Sequence, residues 1–532
     1  MTRKFAVLSS LAGIVSTGAA PSSEPDWAAL GRRWWSHVQV LADDSMEGRE
    51  TGSAGYARAA EYVIRQFREA GLQPAAADGF LQPVDFLVQQ LDPMRSSIEI
   101  VRGHEVRPVH LGNDAMHVVS SATAEESEAD AVFVGYGLTV PELNYDDLAG
   151  LDLRGKIAVF VRGGPSNMPP PLKAHFQSPE ERADALRKAG AIGLVSIMNP
   201  KIPELPWPRY ASGLLMPRMD LRDRGSVGYH PLPTLIVFNP DSAGPLFDGS
   251  GHSWEEILAV LGSNAPLPRF ALPIRIRSRV RFSQATASCH NVVGVLPGVD
   301  ARLKNEYVVV SAHLDHLGIG TPINGDSVYH GAIDNASGVA SILEIARGIH
   351  DTGASPRRSI LFLAVTGEEK FLLGSEHFTA HPTVSGPMVA NINIDGVWSM
   401  FPLRALEVLG VEESTLGDDI RSLAAESGVE IHSAYEPDRV LFIRSDQYNF
   451  IKRGVPALFP QIGYFPGSPE EKLAHEWTML RYHSPADDAK QPIDPEAAAR
   501  FNDLQRKLVL KVANSEDRPS WKPDSFFSRF AR

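Results

Sequence analysis

The chain of 532 residues reads as an α/β protein, a three-layer α/β/α domain with a mixed, largely parallel central sheet and an inserted β-rich domain. Three observations predict this. From His290 onward, the apolar runs YVVVSA, SILFLAV and VANINI alternate with helical stretches such as ASGVASILEIARGI. Runs of this kind, rich in β-branched residues and without polar alternation, are strands covered on both faces. Between residues 96 and 279 the texture changes to short β-type runs, DAVFVGYGL, KIAVFVRGG and LPTLIVF, punctuated by proline and glycine. A hydrophobic content of 43% over this length is enough for two or three cores.

In chain order, residues 1–20 place Arg3 and Lys4 before an apolar run at 5–15 and the small residues Thr17, Gly18, Ala19 and Ala20. That is the layout of a secretory signal peptide, and the run is too short to span a bilayer. The expectation is an exported protein, secreted or periplasmic, without a membrane span. Cys289 is the single cysteine, so neither an internal disulfide nor lipid attachment at a processed N-terminal cysteine is expected. The formal charge of -13, with both signs mixed along the chain, excludes the basic footprint of a nucleic-acid binder. Nothing in the pattern reports an oligomeric state.

The catalytic domain is expected to be discontinuous, over residues 27–95 and 280–512. In YARAAEYVIRQFREAGL, Ala60, Val63, Ile64 and Phe67 recur at helical spacing, and Gly71 stands at the C-cap. The insertion, 96–279, carries one helix-to-strand unit, ERADALRKAG followed by AIGLVSI, flanked by the proline-rich loops PSNMPPPL and PKIPELPWPRY. The tail, 513–532, is polar with aromatics, and packing and disorder are both open for it.

Histidine and acidic residues fall at the strand ends. YVVVSA ends at His313, SILFLAV runs into Thr366, Gly367, Glu368 and Glu369, and VANINI runs into Asp395. In open α/β sheets the carboxyl ends of strands form the crevice where ligands bind. Asp334, in GAIDNASG, precedes a small-residue turn and a helix, and His483 lies in the loop YHSPAD. Each residue alone has a bland reading as a helix cap, a solvated turn or a surface loop. Together they put imidazoles and carboxylates, the donors that zinc accepts, at one end of one domain.

The ordered blocks HLDH, GAIDNASG, TGEE, INIDG and YHSPAD resemble those of the co-catalytic zinc exopeptidases of metallopeptidase family twenty-eight. That family includes aminopeptidases, glutamate carboxypeptidases and, more distantly, glutaminyl cyclases. The likeness covers residues 41–72 and 290 to about 488, while DLRGKIAVFVRGG and ERADALRKAGAIGLVSI look like a protease-associated domain. The resemblance implies two Zn2+ per chain, with His313 and Asp395 on the first, Glu369 and His483 on the second, and Asp334 bridging both. It further implies a hydroxide held between the ions, Glu368 as general base, and a cis peptide bond from Asp334 to Asn335. Tyr482 matches the tyrosine that glutamate carboxypeptidases direct at the oxyanion. Gln447, in RSDQYNF, departs from the family's usual histidine.

The chemistry suits these residue types. Three carboxylates, Asp334, Glu369 and Asp395, against two divalent ions leave about one positive charge, which moves the pKa of water toward neutrality. Glu368 and Glu369 are adjacent, so one can ligate while the other accepts a proton. His313 and Asp315 are two apart, so on an extended segment Asp315 is expected to share a side with the imidazole and orient it. His316 has no assigned duty. The expected activity is hydrolysis of terminal peptide bonds in short peptides, an aminopeptidase in the first reading. The alternatives are a glutamate or dipeptide carboxypeptidase, a single-zinc glutaminyl cyclase, or a non-catalytic binding protein on the same scaffold.

Overall fold

The computed structural model describes residues 25–202, 205–223, 230–261, 263 and 265–531; the expected signal peptide lies outside them. Two large sheets organise the chain. The first runs, edge to edge, Arg218–Leu221, Leu81–Leu91, Phe282–Leu296, Ser359–Val365, Tyr307–His313, Met388–Asn393, Ala457–Gly463, Ala405–Leu409 and Glu430–His432. Its four central strands, from Ser359–Val365 to Ala457–Gly463, are mutually parallel. Antiparallel pairings flank them on both sides, so the sheet is mixed and parallel through its centre.

The centre is parallel because every residue of Ser359–Val365 is buried, which requires cover on both faces. Alternation along the strands divides the cover. Val308, Val310, Ile360, Phe362 and Ile392 face a core shared with Trp34, Val38, Phe67, Ile342 and Leu508, from the helices Trp27–Leu41, Ala54–Glu69, Gly338–Asp351 and Pro495–Asn514. Val309, Leu361, Leu363 and Val365 face Phe378 and Phe450 on the opposite side, from the helices Leu373–Ala380 and Gln447–Ile451. The layers are therefore α/β/α. Helix Ala54–Glu69 starts where the Ser53 hydroxyl accepts the Tyr56 N–H and ends before Gly71, at φ 73°.

The second sheet has the order Glu105–Val109, Ser97–Arg102, Phe270–Arg279, Glu126–Phe133, Ile157–Val161, Gly193–Ile197, Thr234–Phe238 and Ala115–His117. It has its own core around Phe133, Val159, Ile236 and Phe247, and helix Pro179–Lys188 feeds strand Gly193–Ile197. One strand from this stretch departs from the expected division. Arg218–Leu221 leaves the second sheet and pairs antiparallel with Leu81–Leu91 as an edge of the first. A run of four residues, RMDL, has too little periodicity to reveal that pairing.

At the other end, helix Pro495–Asn514 extends into the stretch read as tail, and the remainder packs. The Trp521 indole N–H donates to the Gly454 carbonyl at 3.0 Å, Ser525 Oγ donates to Glu413 at 2.6 Å, and Phe527 is fully buried.

Candidate metal centre

Three parallel strands deliver their last residues to one rim. Ser311 registers with both Leu363 and Asn393, so His313, the Thr366–Glu369 turn and Asp395 emerge side by side at the carboxyl ends. Asp334 sits in the turn Ala332–Ser337 that opens helix Gly338–Asp351, and its bond to Asn335 is cis. Side chains brace this turn. The Asp487 carboxylate accepts the N–H groups of Ile333 and Asp334, each at 3.0 Å. Asn335 Oδ1 accepts from Gly338 at 2.9 Å and from Gly396 at 3.0 Å, joining the turn to the strand end that carries Asp395.

The five expected ligands converge. His313 Nε2 stands 3.2 Å from Asp334 Oδ1 and 3.0 Å from Asp395 Oδ1. His483 Nε2 stands 3.1 Å from Asp334 Oδ2 and 3.3 Å from Glu369 Oε2. His316 joins the second group, its Nδ1 being 2.7 Å from Glu369 Oε1 and 3.9 Å from Asp334 Oδ2. The two oxygens of Asp334 thus serve two separate clusters.

Zinc fits this donor set. Donors sharing a tetrahedral cation at about 2.1 Å lie roughly 3.4 Å from one another, close to the observed spacings. The His313 Nδ1–H donates to the Asp315 carbonyl at 3.0 Å, which in the neutral ring leaves Nε2 as a bare lone pair facing two carboxylates. His316 Nδ1 meets Glu369 Oε1 at 2.7 Å, while His316 Nε2 is buried without a hydrogen-bond partner among the described residues. Lone pairs gathered in this way repel one another unless a cation lies among them.

Residues 291–509 match the model of Peptidase family M28. The likeness to this model is confined to this segment of the chain. A mouse protein named Aminopeptidase NAALADL1 is 31% identical over 34% of this chain and 24% of its own length. Aminopeptidase YwaD from Bacillus subtilis is 25% identical over 43% of this chain and 46% of its own. The chain thus spans between about a quarter and a half of these curated relatives. An aminopeptidase from Aneurinibacillus sp. strain AM-1 superposes with a TM-score of 0.55 at 19% identity, over 93% of this chain and 97% of that one, which is a likeness of fold.

Within the M28 segment, Glu368 lines a cavity of about 620 Å³ together with Asp334, Glu369, Asp395, Tyr482 and His483. Burial pushes its carboxyl well above the usual range; the His313 charge opposes this and the Asp395 and Glu369 charges add to it. The Tyr482 phenol is likewise pushed well up, by burial first and then by the Asp334 charge, so it remains a donor. The Tyr482 and His483 rings are tilted by 31° to one another, with centroids 3.9 Å apart. Gln447 is fully buried, accepting from Asn393 at 2.9 Å and donating to the Phe442 carbonyl at 2.8 Å. It is absent from the cavity wall.

Asp315 departs from its expected role. Its carboxylate does not orient the His313 ring; its Oδ1 accepts the Glu368 N–H at 3.1 Å, and its Oδ2 accepts Thr51 Oγ at 3.1 Å and the Glu369 N–H at 3.3 Å. The strand ends at His313, so the alternation that would put both side chains on one side stops there. The backbone carbonyl of Asp315 takes the imidazole instead.

Two further residues of the site carried no sequence signal. Arg49, in the glycine-rich stretch SMEGRETGSAG, is fully buried and donates to the carbonyls of Leu41, Leu314, His330 and Gly331. It ties that loop to the segments bearing His313 and Asp334, and burial pulls its guanidinium down to about 10. Asp487 follows the YHSPAD proline but is defined by backbone donors far away in sequence. His316 had a signal, a second histidine three residues past His313 at a strand exit.

Proposed function

We propose that this chain is an exported zinc-dependent exopeptidase that holds two Zn2+ ions and releases residues from the amino terminus of short peptides. The observation that carries the reading is the division of Asp334, with Oδ1 facing His313 and Oδ2 facing His483. His313 and Asp395 would hold one ion, Glu369 and His483 the other, and Asp334 both, with His316 lying within reach of the second. When bound, such ions polarise a carbonyl oxygen and bring the pKa of water near neutrality.

The remaining steps belong to the protein. Glu368, open to the cavity, accepts a proton from the attacking water and returns it to the leaving amine nitrogen. The Asp315 carboxylate fixes the backbone of Glu368 and Glu369, keeping base and ligand in a constant relation. The Tyr482 hydroxyl donates to the oxyanion that forms as the carbonyl is attacked.

The second sheet and its connections are read as a protease-associated insertion that restricts entry. Residues 96–279 supply Arg162, Met216 and Arg218 to the cavity that also contains Glu368 and His483. Arg209 donates to the Tyr482 carbonyl at 2.9 Å, and Lys370 reaches the Pro217 carbonyl at 3.2 Å. A roof held this way admits chain ends. Export rests on the N-terminal pattern of residues 1–20, and no helix among the described residues is long and apolar enough to cross a membrane.

The test is hydrolysis of matched peptides with free, N-acetylated and C-amidated ends by the zinc-loaded chain. The reading expects cleavage of the free and C-amidated peptides, no cleavage of the N-acetylated one, and loss of activity with 1,10-phenanthroline. Cleavage that ignores the amino terminus but requires a free carboxylate would overturn it in favour of a carboxypeptidase.

A further inference from the structure

Away from the candidate metal centre, a second group of donors gathers where the two sheets are joined. His377, in helix Leu373–Ala380, and His381, its C-terminal cap, are spaced by four, so their rings project from the same side of the helix. The ring centroids are 4.9 Å apart. Asp223, two residues beyond the edge strand Arg218–Leu221, brings Oδ2 to 3.6 Å from His381 Nε2. One donor atom from each of the three lies within 4.8 Å of the others.

We propose that His377, His381 and Asp223 form a surface site for a divalent transition ion of the zinc, nickel or copper class. Two imidazoles and one carboxylate match the preference of those ions and are a poor set for calcium or magnesium, which take oxygen ligands. The Pro83 carbonyl acts on the His377 imidazole and favours its protonated form. The carboxylate of Asp85 acts on the same imidazole, adding negative potential at the site. Side chains of His381 and Asp223 are 55% and 51% exposed, so an ion can reach them from solvent.

The location gives the ion a consequence. Asp223 continues the strand that adds residues from the 96–279 stretch to the first sheet, and the histidines belong to the helix that follows the Glu368–Glu369 turn. An ion there fastens the roof of the cavity to the segment carrying the candidate base and ligand.

The experiment counts zinc per chain after equilibrium dialysis at fixed free Zn2+, for the full chain, the double variant His377→Ala/His381→Ala and Asp223→Asn. The full chain is expected to hold one zinc more than the double variant, and Asp223→Asn to weaken that equivalent by at least tenfold. The same difference is expected on an Asp334→Ala background, so the count does not depend on the candidate centre. Should the double variant fail to fold, the exposed Asp223→Asn change alone decides. Equal zinc content and unchanged affinity in these variants would overturn the proposal.

Discussion

The Asp315 carboxylate accepts the backbone N–H of Glu368 at 3.1 Å, and its other oxygen reaches the N–H of Glu369. A single buried side chain therefore sets the turn from which the proposed base and a proposed ligand project. Asp315→Asn replaces one acceptor oxygen with a donor amide facing an N–H. The expected result is a fall in kcat of about 10- to 100-fold, as for supporting residues of metal sites, accompanied by weaker zinc retention. Unchanged kcat and zinc content in the folded variant would show that the turn does not need this anchor.

Glu368→Gln keeps the shape of the side chain and removes its proton chemistry. The account expects kcat to fall by about 100- to 10,000-fold, with KM and zinc content unaltered. Steady-state kinetics beside metal analysis separates the role of base from that of ligand, since a ligand variant would lose zinc as well.

Much of this site was legible before folding because it follows from where strands stop. His313, the Glu368–Glu369 pair and Asp395 end three apolar runs, and parallel strands put their ends on one rim. Asp334 and His483 needed the ordered blocks as well, since a turn aspartate and a loop histidine have no periodicity of their own. Strand alternation misplaces the partners of Asp315 because the strand ends at His313. Arg49 and Asp487 were missed because they bind backbone groups brought near only by the finished fold. The edge strand Arg218–Leu221 is hidden by its length, while His316, visible as a second histidine past His313, gains its place only through the contact with Glu369.

Asp487 offers a test of the framework behind Asp334. It is fully buried and accepts from Ile333, Asp334 and Gln491, so Asp487→Ala takes the acceptor from three buried donors. Each costs about 1 to 3 kcal/mol. Thermal melting should drop by several degrees and zinc affinity should fall with it; Asp487→Asn, which keeps an acceptor oxygen, should recover part of both. A variant that melts like the parent would contradict the assigned role.

Glu407 gives a pH dependence with a definite sign. Burial raises its carboxyl to about 7, and its Oε1 accepts the Tyr435 N–H at 2.8 Å. In the unfolded chain it ionises near its ordinary value of 4.5. Below that value both states are protonated and the residue costs nothing. Between 4.5 and 7 the unfolded chain loses its proton first, so folding is progressively disfavoured, by on the order of 3 kcal/mol above 7. Glu407→Gln keeps the acceptor and removes the charge. It should raise the melting temperature at pH 8 and leave it unchanged at pH 4; the opposite ordering would contradict the burial argument.

The shared carboxylate is tested most directly by anomalous diffraction at the zinc edge from crystals of the zinc-loaded protein. The account predicts two peaks flanking Asp334, one contacted by His313, Asp395 and Asp334 Oδ1, the other by Glu369, His483 and Asp334 Oδ2. A single peak, or two peaks with Asp334 bound to only one, would contradict it.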